Sequence, residues 1–427
     1  MKKIAFQTLG CKLNFSETST LSRQFGSEGF QQVDFNEPAD IYVINSCSVT
    51  QNAEKRCREM IKKAMKKNPE AHIAIIGCFS QLNPDEIRAI PGVDIVLGNA
   101  DKFNLFEHIK NLEREGAAGR QDVAVEEPDT FVPGFSIDDR TRSFFKIQDG
   151  CDYFCAYCTI PLARGRSRSN NIATTIATAT EIARTNIKEV VLSGVNIGDF
   201  GKDHGENFYG FLQELIKVDG LERVRISSIE PDLLSDEIIH LVAEQKVLMP
   251  HFHIPLQSGN DEVLSAMGRR YDTALFAARV ENIRKHIPHA CIAIDLIVGF
   301  PAETDELFQQ SYDFVRKMDV SYVHVFTYSE RSNTRAVTYQ SQVPLKIRQQ
   351  RSKIMQQLSA HKKDVFYRNN QGHSSIVLWE KDNVKGYMFG FTENYIKVKT
   401  PFSPHKVNTL ENIVLNHLDT DGVYIVG

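Results

Sequence analysis

Short apolar runs alternate with helical stretches along most of this chain, and that alternation leaves few folds open. Strand, helix, strand at such spacing implies a parallel sheet with right-handed crossovers. In the amino-terminal third, Ile4 to Leu9 is followed by Gly10-Cys11, Ile41 to Asn45 by Ser46-Cys47, and His72 to Ile76 by Gly77-Cys78. Each cysteine ends a strand. The three therefore gather at the carboxyl edge, where open α/β sheets bind ligands, and could hold an inorganic cluster with one iron left open. The first intervening helix is expected to start on a capping box from Asn14 to Glu17, with Asn14 accepting the Glu17 amide.

Three further cysteines, Cys151, Cys155 and Cys158, stand in C-x₃-C-x₂-C spacing directly after the apolar run Phe144 to Ile147. An iron–sulfur cube is usually held by four cysteines, so three thiolates leave one iron able to bind something else. A structural zinc would need a fourth ligand, commonly from a second knuckle, and no second C-x₂-C pair occurs. The remaining two cysteines read as core residues: Cys57 shares a helix face with Ala53, Met60, Ile61 and Ala64, and Cys291 opens an apolar run to Phe300.

The chain has 427 residues, 42% of them hydrophobic, enough for two or three domains with real cores. At a net charge of −4, any nucleic-acid contact must rest on local basic patches. No run of about 18 apolar residues occurs, which rules out an ordinary membrane helix, and the apolar stretch near the start is too short for a signal peptide. A cytoplasmic protein is expected, with its cysteines favouring metal or catalytic use over disulfides.

From Ser143 to about Tyr328 six strand-like runs alternate with helices: Phe144 to Ile147, Glu189 to Leu192, Val224 to Ser227, His251 to Ile254, Ile292 to Val298 and Tyr322 to Phe326. Six βα units predict a partial (β/α)6 barrel, which works at the carboxyl ends of its strands. A long helix from Pro344 to Arg368 leads into five short alternating runs (Ser375 to Trp379, Val384 to Phe391, Asn394 to Val398, Ile413 to Leu418, Val423 to Val426), which predict a small antiparallel β-barrel. Periodicity fades between Gly116 and Arg142. The expected domains are thus residues 1–118, a linker 119–142, then 143–370 and 371–427. Lys55, Arg58, Lys62 and Lys66 form a stripe on one helix, either a solvated face or a phosphate contact. Arg164, Arg166 and Arg168 follow the cysteine loop in alternation and could grip a carboxylate, a phosphate or an internal partner.

The segments TLGCKLN (Thr8 to Asn14), NSCSVT (Asn45 to Thr50) and IGCFSQ (Ile76 to Gln81), followed by C-x₃-C-x-Tyr-Cys, resemble the radical S-adenosylmethionine (SAM) methylthiotransferase family. The resemblance spans nearly the whole chain. It implies two [4Fe-4S] clusters: one on Cys151, Cys155 and Cys158 that binds and cleaves SAM, and an auxiliary one on Cys11, Cys47 and Cys78 that carries the sulfur to be transferred. Further SAM contacts are implied at Tyr157, near the adenine, and at Gly194, Ser228, Glu230, Gln257 and Val298, each at or just after the end of a barrel strand; no catalytic side chain beyond the cluster ligands is implied. The carboxyl-terminal module, with NYIKVK at Asn394 to Lys399, is similar to the RNA-binding TRAM domain, for which Lys381, Lys385, Lys397 and Lys399 would supply charge and Tyr387, Phe389 and Tyr395 stacking faces, with about half of these aromatics required by alternation for the barrel core instead.

Within the family, GCKLN and this tail most resemble enzymes that convert N6-threonylcarbamoyladenosine at position 37 of tRNA to its 2-methylthio derivative. The implied partners are the tRNA anticodon stem-loop and an electron donor such as flavodoxin or ferredoxin. Isopentenyladenosine-37 or a ribosomal-protein aspartate are the alternative substrates, and a non-catalytic iron–sulfur or zinc RNA-binding protein is the alternative class.

Overall fold

The computed structural model describes residues 1–48, 51–115, 125–137 and 141–426. Val49 and Thr50 of the second motif, positions 119–124 and 138–140 of the expected linker, and Gly427 lie outside the described residues. The chain divides into two compact units: Met1–Ser136 with Phe144–Asp152 and Cys158–Ser169, and Ile137–Ser143 with Tyr153–Tyr157 and Asn170–Gly427.

The first unit is built on the expected parallel sheet. Its strands are β1 (Lys3–Thr8), β2 (Gln31–Val33), β3 (Ile41–Ser46), β4 (His72–Gly77) and β5 (Ile95–Leu97), in the spatial order β2-β1-β3-β4-β5. Every residue of β3 is buried, as befits a central strand covered on both faces. Helices Lys12–Ser27 and Leu105–Glu115 bring Leu21, Phe25, Leu105 and Ile109 to one face, while Cys57, Ile61 and Ala64 of Gln51–Lys67 join Phe79 on the other. Cys57 is thus the core residue expected, with its thiol pushed up to about 12 by burial. Thr8 pairs with Asn45, and Ser46 with Gly77. The strands end level, and the chain leaves them at one edge on Cys11, Cys47 and Cys78. Also in this unit, β6 (Gly134–Phe135) pairs antiparallel with the end of β7 (Arg142–Lys146), and β8 (Gln148–Asp149) with β9 (Arg168–Ser169).

The second unit carries β10 (Glu189–Ser193), β11 (Arg223–Ile226), β12 (His251–Gln257), β13 (Cys291–Val298) and β14 (Tyr322–Thr327). These match five of the six expected barrel strands, and β7 matches the other. Parallel ladders join β10 to β11 and β12 to β13 to β14; a parallel bridge from Ser228, just after β11, reaches His253 of β12, and another joins Val224 of β11 to Leu248, just before β12. The intervening helices start where the sequence provides caps: Asn171, Asn207, Asn260, Asp272 and Thr304 each accept a hydrogen bond from the amide three residues on. Strand order and right-handed crossovers follow from this alternation.

The long helix runs Leu345–Asn369. After it, β15 (Ser374–Trp379), β16 (Tyr387–Thr392), β17 (Lys397–Pro401), β18 (Leu410–Val414), β19 (His417–Leu418) and β20 (Tyr424–Ile425) form one sheet in the order β18-β15-β16-β17-β20-β19 around buried Trp379, Met388, Val398 and Tyr424. It departs from the expected five antiparallel strands in two ways: there are six, and β17 pairs with β20 in parallel. Among the described residues no helix is long and apolar enough to cross a membrane.

Candidate metal-cluster and cofactor site

The first three thiols converge because two glycines give way. Gly10 has φ +105°, and a Cβ there would lie 2.6 Å from Cys47 Cβ and 2.8 Å from its Sγ; Gly77 has φ +96°, and a Cβ would meet Asn45 Oδ1 at 2.5 Å. Cys11 is exposed while Cys47 and Cys78 are buried, and Cys11 lies within electrostatic reach of both Arg164 and Cys78. A single ion such as zinc needs its donors much closer together. Among the described residues the one His/Cys/Asp/Glu group with all donor atoms within 4.8 Å is His253, Asp295 and His324, not these thiols. Three soft, more widely set donors at a glycine-lined edge fit a polynuclear iron–sulfur body.

Asn14 and Glu17 do not form the expected capping box. The helix starts after Cys11 with no side-chain cap; Asn14 Nδ2 instead donates to the carbonyls of Leu9 (2.7 Å) and Ser46 (3.0 Å), tying the Cys11 and Cys47 turns together. Glu17 is fully buried, taken up by Lys102 (2.6 Å), Lys146 (2.9 Å) and Arg164 (3.0 Å). Three buried cations outcompete a backbone amide. Asp149 balances them, 2.7 Å from Lys146, 3.0 Å from Arg164 and 3.4 Å from Arg168. Despite burial, the surrounding cations hold the Glu17 and Asp149 carboxyls well below their usual range. Arg164 also donates to Asn14 Oδ1 at 2.7 Å, and Asn99 bridges Cys78 Sγ (3.6 Å) and the Ala163 carbonyl (2.7 Å). Of the three alternating arginines, Arg164 and Arg168 are therefore internal partners, while Arg166 is exposed, 3.8 Å from Asp152. Lys102 escaped sequence reasoning; Lys146, a charge inside the run FFKI, was the legible signal.

In the cysteine loop Cys151 and Cys158 are half-buried and Cys155 is buried. The Cys151 amide donates to Gly165 at 3.1 Å. In the second unit Arg269 Nη1 lies 3.0 Å from Cys155 Sγ, and its other arm pairs with Glu230; nothing in the spacing singled out Arg269. Burial pushes Glu230 up to about 7, against the pull of Arg269 and with Asp232 and Asp295 adding to the rise. Of the expected SAM contacts, Gly194 directly follows β10, Ser228 bridges to His253, Gln257 ends β12 with φ +64°, and Val298 ends β13, its carbonyl accepting from the Tyr328 amide at 3.0 Å. Tyr157 packs edge-on to Phe300, centroids 6.3 Å apart. Glu303 is occupied by the Gly299 amide and Arg351, both at 2.6 Å.

The basic surfaces change most. Lys55, Lys62 and Lys66 are exposed, but Arg58 leaves the stripe to pair with Glu86 and cover the Phe79 ring. Lys399, expected to be exposed, is buried between Asp419 and Asp421, both at 2.6 Å. Tyr395 stacks on Phe391 at 4.6 Å and is gripped by Arg142 and Arg225, so it offers no open stacking face. Lys397 lies over Phe389 at 4.1 Å, whereas Lys381, Lys385 and Tyr387 are exposed as expected.

A thiol-edged parallel sheet followed by parallel βα units with a C-x₃-C-x₂-C loop defines a radical SAM architecture. The comparisons agree. Residues 145–315 match the Radical SAM superfamily, and residues 3–98 match the uncharacterized protein family UPF0004. The chain is 38% identical to threonylcarbamoyladenosine tRNA methylthiotransferase MtaB of Bacillus subtilis, over 93% of this chain and 90% of that one. It is 36% identical to the protein of that name from Aquifex aeolicus (93% and 96%), and 34% identical to tRNA-2-methylthio-N(6)-dimethylallyladenosine synthase of Alkaliphilus oremlandii (82% and 76%). Among solved structures, the radical SAM methyltransferase TsrM of Kitasatospora setae superposes with TM-score 0.58 at 14% identity, over 78% of this chain and 77% of that one, a likeness of fold. The chain belongs to the radical SAM methylthiotransferase family.

Proposed function

We propose that this protein inserts a methylthio group at C2 of N6-threonylcarbamoyladenosine-37 in tRNA. The observation that carries the reading is the identity, at 36–38% across nine-tenths of both chains, with relatives named for that base. Cys151, Cys155 and Cys158 would hold one [4Fe-4S] cluster, and Cys11, Cys47 and Cys78 the auxiliary one. When bound, the clusters and SAM supply reductive cleavage of SAM and the sulfur that is transferred.

The chain's own residues hold that chemistry in place. Gly10 and Gly77 admit the close approach of the thiols; Asn14, Asn99 and Arg164 fix the loops that carry them; Arg269 braces Cys155 and Glu230 together. Tyr157, Gly194, Ser228, Glu230, Gln257 and Val298 are the proposed SAM contacts. The proposed domains are residues 1–118, 143–370 and a TRAM-like 371–427, joined by the linker 119–142. The proposed setting is the cytoplasm, with the anticodon stem-loop as substrate and flavodoxin or ferredoxin as reductant.

Nucleoside mass spectrometry of tRNA with and without the gene tests this. Loss of the methylthio group from threonylcarbamoyladenosine, with accumulation of the unthiolated base, is expected. Loss from isopentenyladenosine would move the substrate; no change in any tRNA base would point to a ribosomal protein.

A further inference from the structure

Three polar side chains meet across three adjacent barrel strands. His253 of β12, Asp295 of β13 and His324 of β14 bring their ligand atoms within 4.8 Å of one another. His253 Nε2 lies 2.8 Å from Asp295 Oδ1, the two imidazole rings are 5.4 Å apart, and Asp295 stands directly across the ladder from His324. Asp295 and His324 each sit three residues before the end of their strand, which at the strand rise is about 10 Å below the carboxyl-terminal mouth. Ser228, an expected SAM contact, bridges to His253.

Resting on the reading that the substrate is N6-threonylcarbamoyladenosine, we propose that His253, Asp295 and His324 form the subsite for its N6 substituent and discriminate it from apolar ones. The threonylcarbamoyl group presents urea N–H donors together with carbonyl, hydroxyl and carboxylate acceptors. The trio offers the complement: a carboxylate that accepts and imidazole N–H groups that donate. An isopentenyl group has no polar atom and would desolvate all three without replacing a hydrogen bond, the situation in which a polar site rejects an analogue most strongly. Phe326 lies two residues beyond His324 on the same face of β14 and is 50% exposed; it supplies a ring on which the adenine can stack. C2 and the C6 that carries N6 belong to one rigid ring, so seating the substituent also fixes where the reacting carbon lies.

The test is equilibrium binding of the anaerobically reconstituted full-length protein to three anticodon stem-loops differing only at position 37: threonylcarbamoyladenosine, isopentenyladenosine and plain adenosine. Wild type is expected to prefer the first by about tenfold or more, and H324A and D295N to reduce that preference to within about twofold. H324N, which keeps a hydrogen-bonding group, is expected to retain part of it and serves where H324A does not fold. A wild type without preference would overturn the substrate reading itself. Preference retained in both variants would overturn this proposal alone. A preference abolished by chelator and restored by zinc would also overturn it, in favour of a cation on the same trio.

Discussion

Glu17 divides its carboxylate among Lys102, Lys146 and Arg164 with none of it open to solvent. A buried ionic cluster adds little net stability as a whole, but removing one member strands the others. In E17Q three buried cations face Asp149 alone, and the cost is expected to be about 3–5 kcal/mol, read as a lower midpoint in anaerobic denaturant melts; an unchanged midpoint would show the cluster to be dispensable. The pH dependence has a definite sign. Because the folded Glu17 and Asp149 carboxyls lie below their usual range, their stabilisation is complete above the unfolded value of about 4 and is lost as pH falls through the folded values. Wild type should therefore lose stability steeply below about pH 4, and E17Q less steeply.

Two elements carry their own predictions. The loop that opens at Gly150 depends on φ +71°, and a Cβ there would lie 1.9 Å from the Arg166 carbonyl oxygen. Backbone cannot yield to that clash, so G150A should lose about half the iron of the reconstituted protein with the rest retained; full iron would show the loop tolerant. On the helix Gln51–Lys67, Lys62 and Lys66 remain exposed after Arg58 turns inward. If they meet phosphate, K62E/K66E flattens the dependence of log affinity for tRNA on log salt by about two contacts; an unchanged slope makes the face a solvated one. The same elements show what a sequence can disclose. Strands and helices were legible because apolar period and Asn, Asp or Thr caps are local, and the thiol sets because each cysteine ends a strand or a tight spacing. The Asn14–Glu17 capping box failed because its cationic competitors come from Lys102, Lys146 and Arg164, far along the chain. Lys399 failed likewise, claimed by Asp419 and Asp421, and Tyr395 is one of the rings that alternation assigns to the interior, held there by Arg142 and Arg225. Arg269 and the lumen trio carry no spacing signal, since the trio comes together only through the pairing of β12, β13 and β14.

At the scale of the whole molecule the two thiol sets should be separable, because each is anchored by its own loops. Cys11, Cys47 and Cys78 end strands whose ladders and apolar faces do not depend on the thiols, and the Glu17 cluster beside them persists without them. The C11A/C47A/C78A protein is therefore expected to fold, to keep about half of the iron, and to release 5′-deoxyadenosine from SAM under reductant while inserting no methylthio group into tRNA. The C151A/C155A/C158A protein is expected to keep a similar share of iron and to release no 5′-deoxyadenosine. Paired iron analysis and product chromatography distinguish these outcomes. Methylthio insertion by the first variant would end the assignment of sulfur delivery to the amino-terminal edge. Loss of all iron in either variant would mean that one cluster cannot be housed without the other, a coupling for which the bridge from Cys78 through Asn99 to the Ala163 carbonyl, in the segment following Cys158, would be the first contact to test.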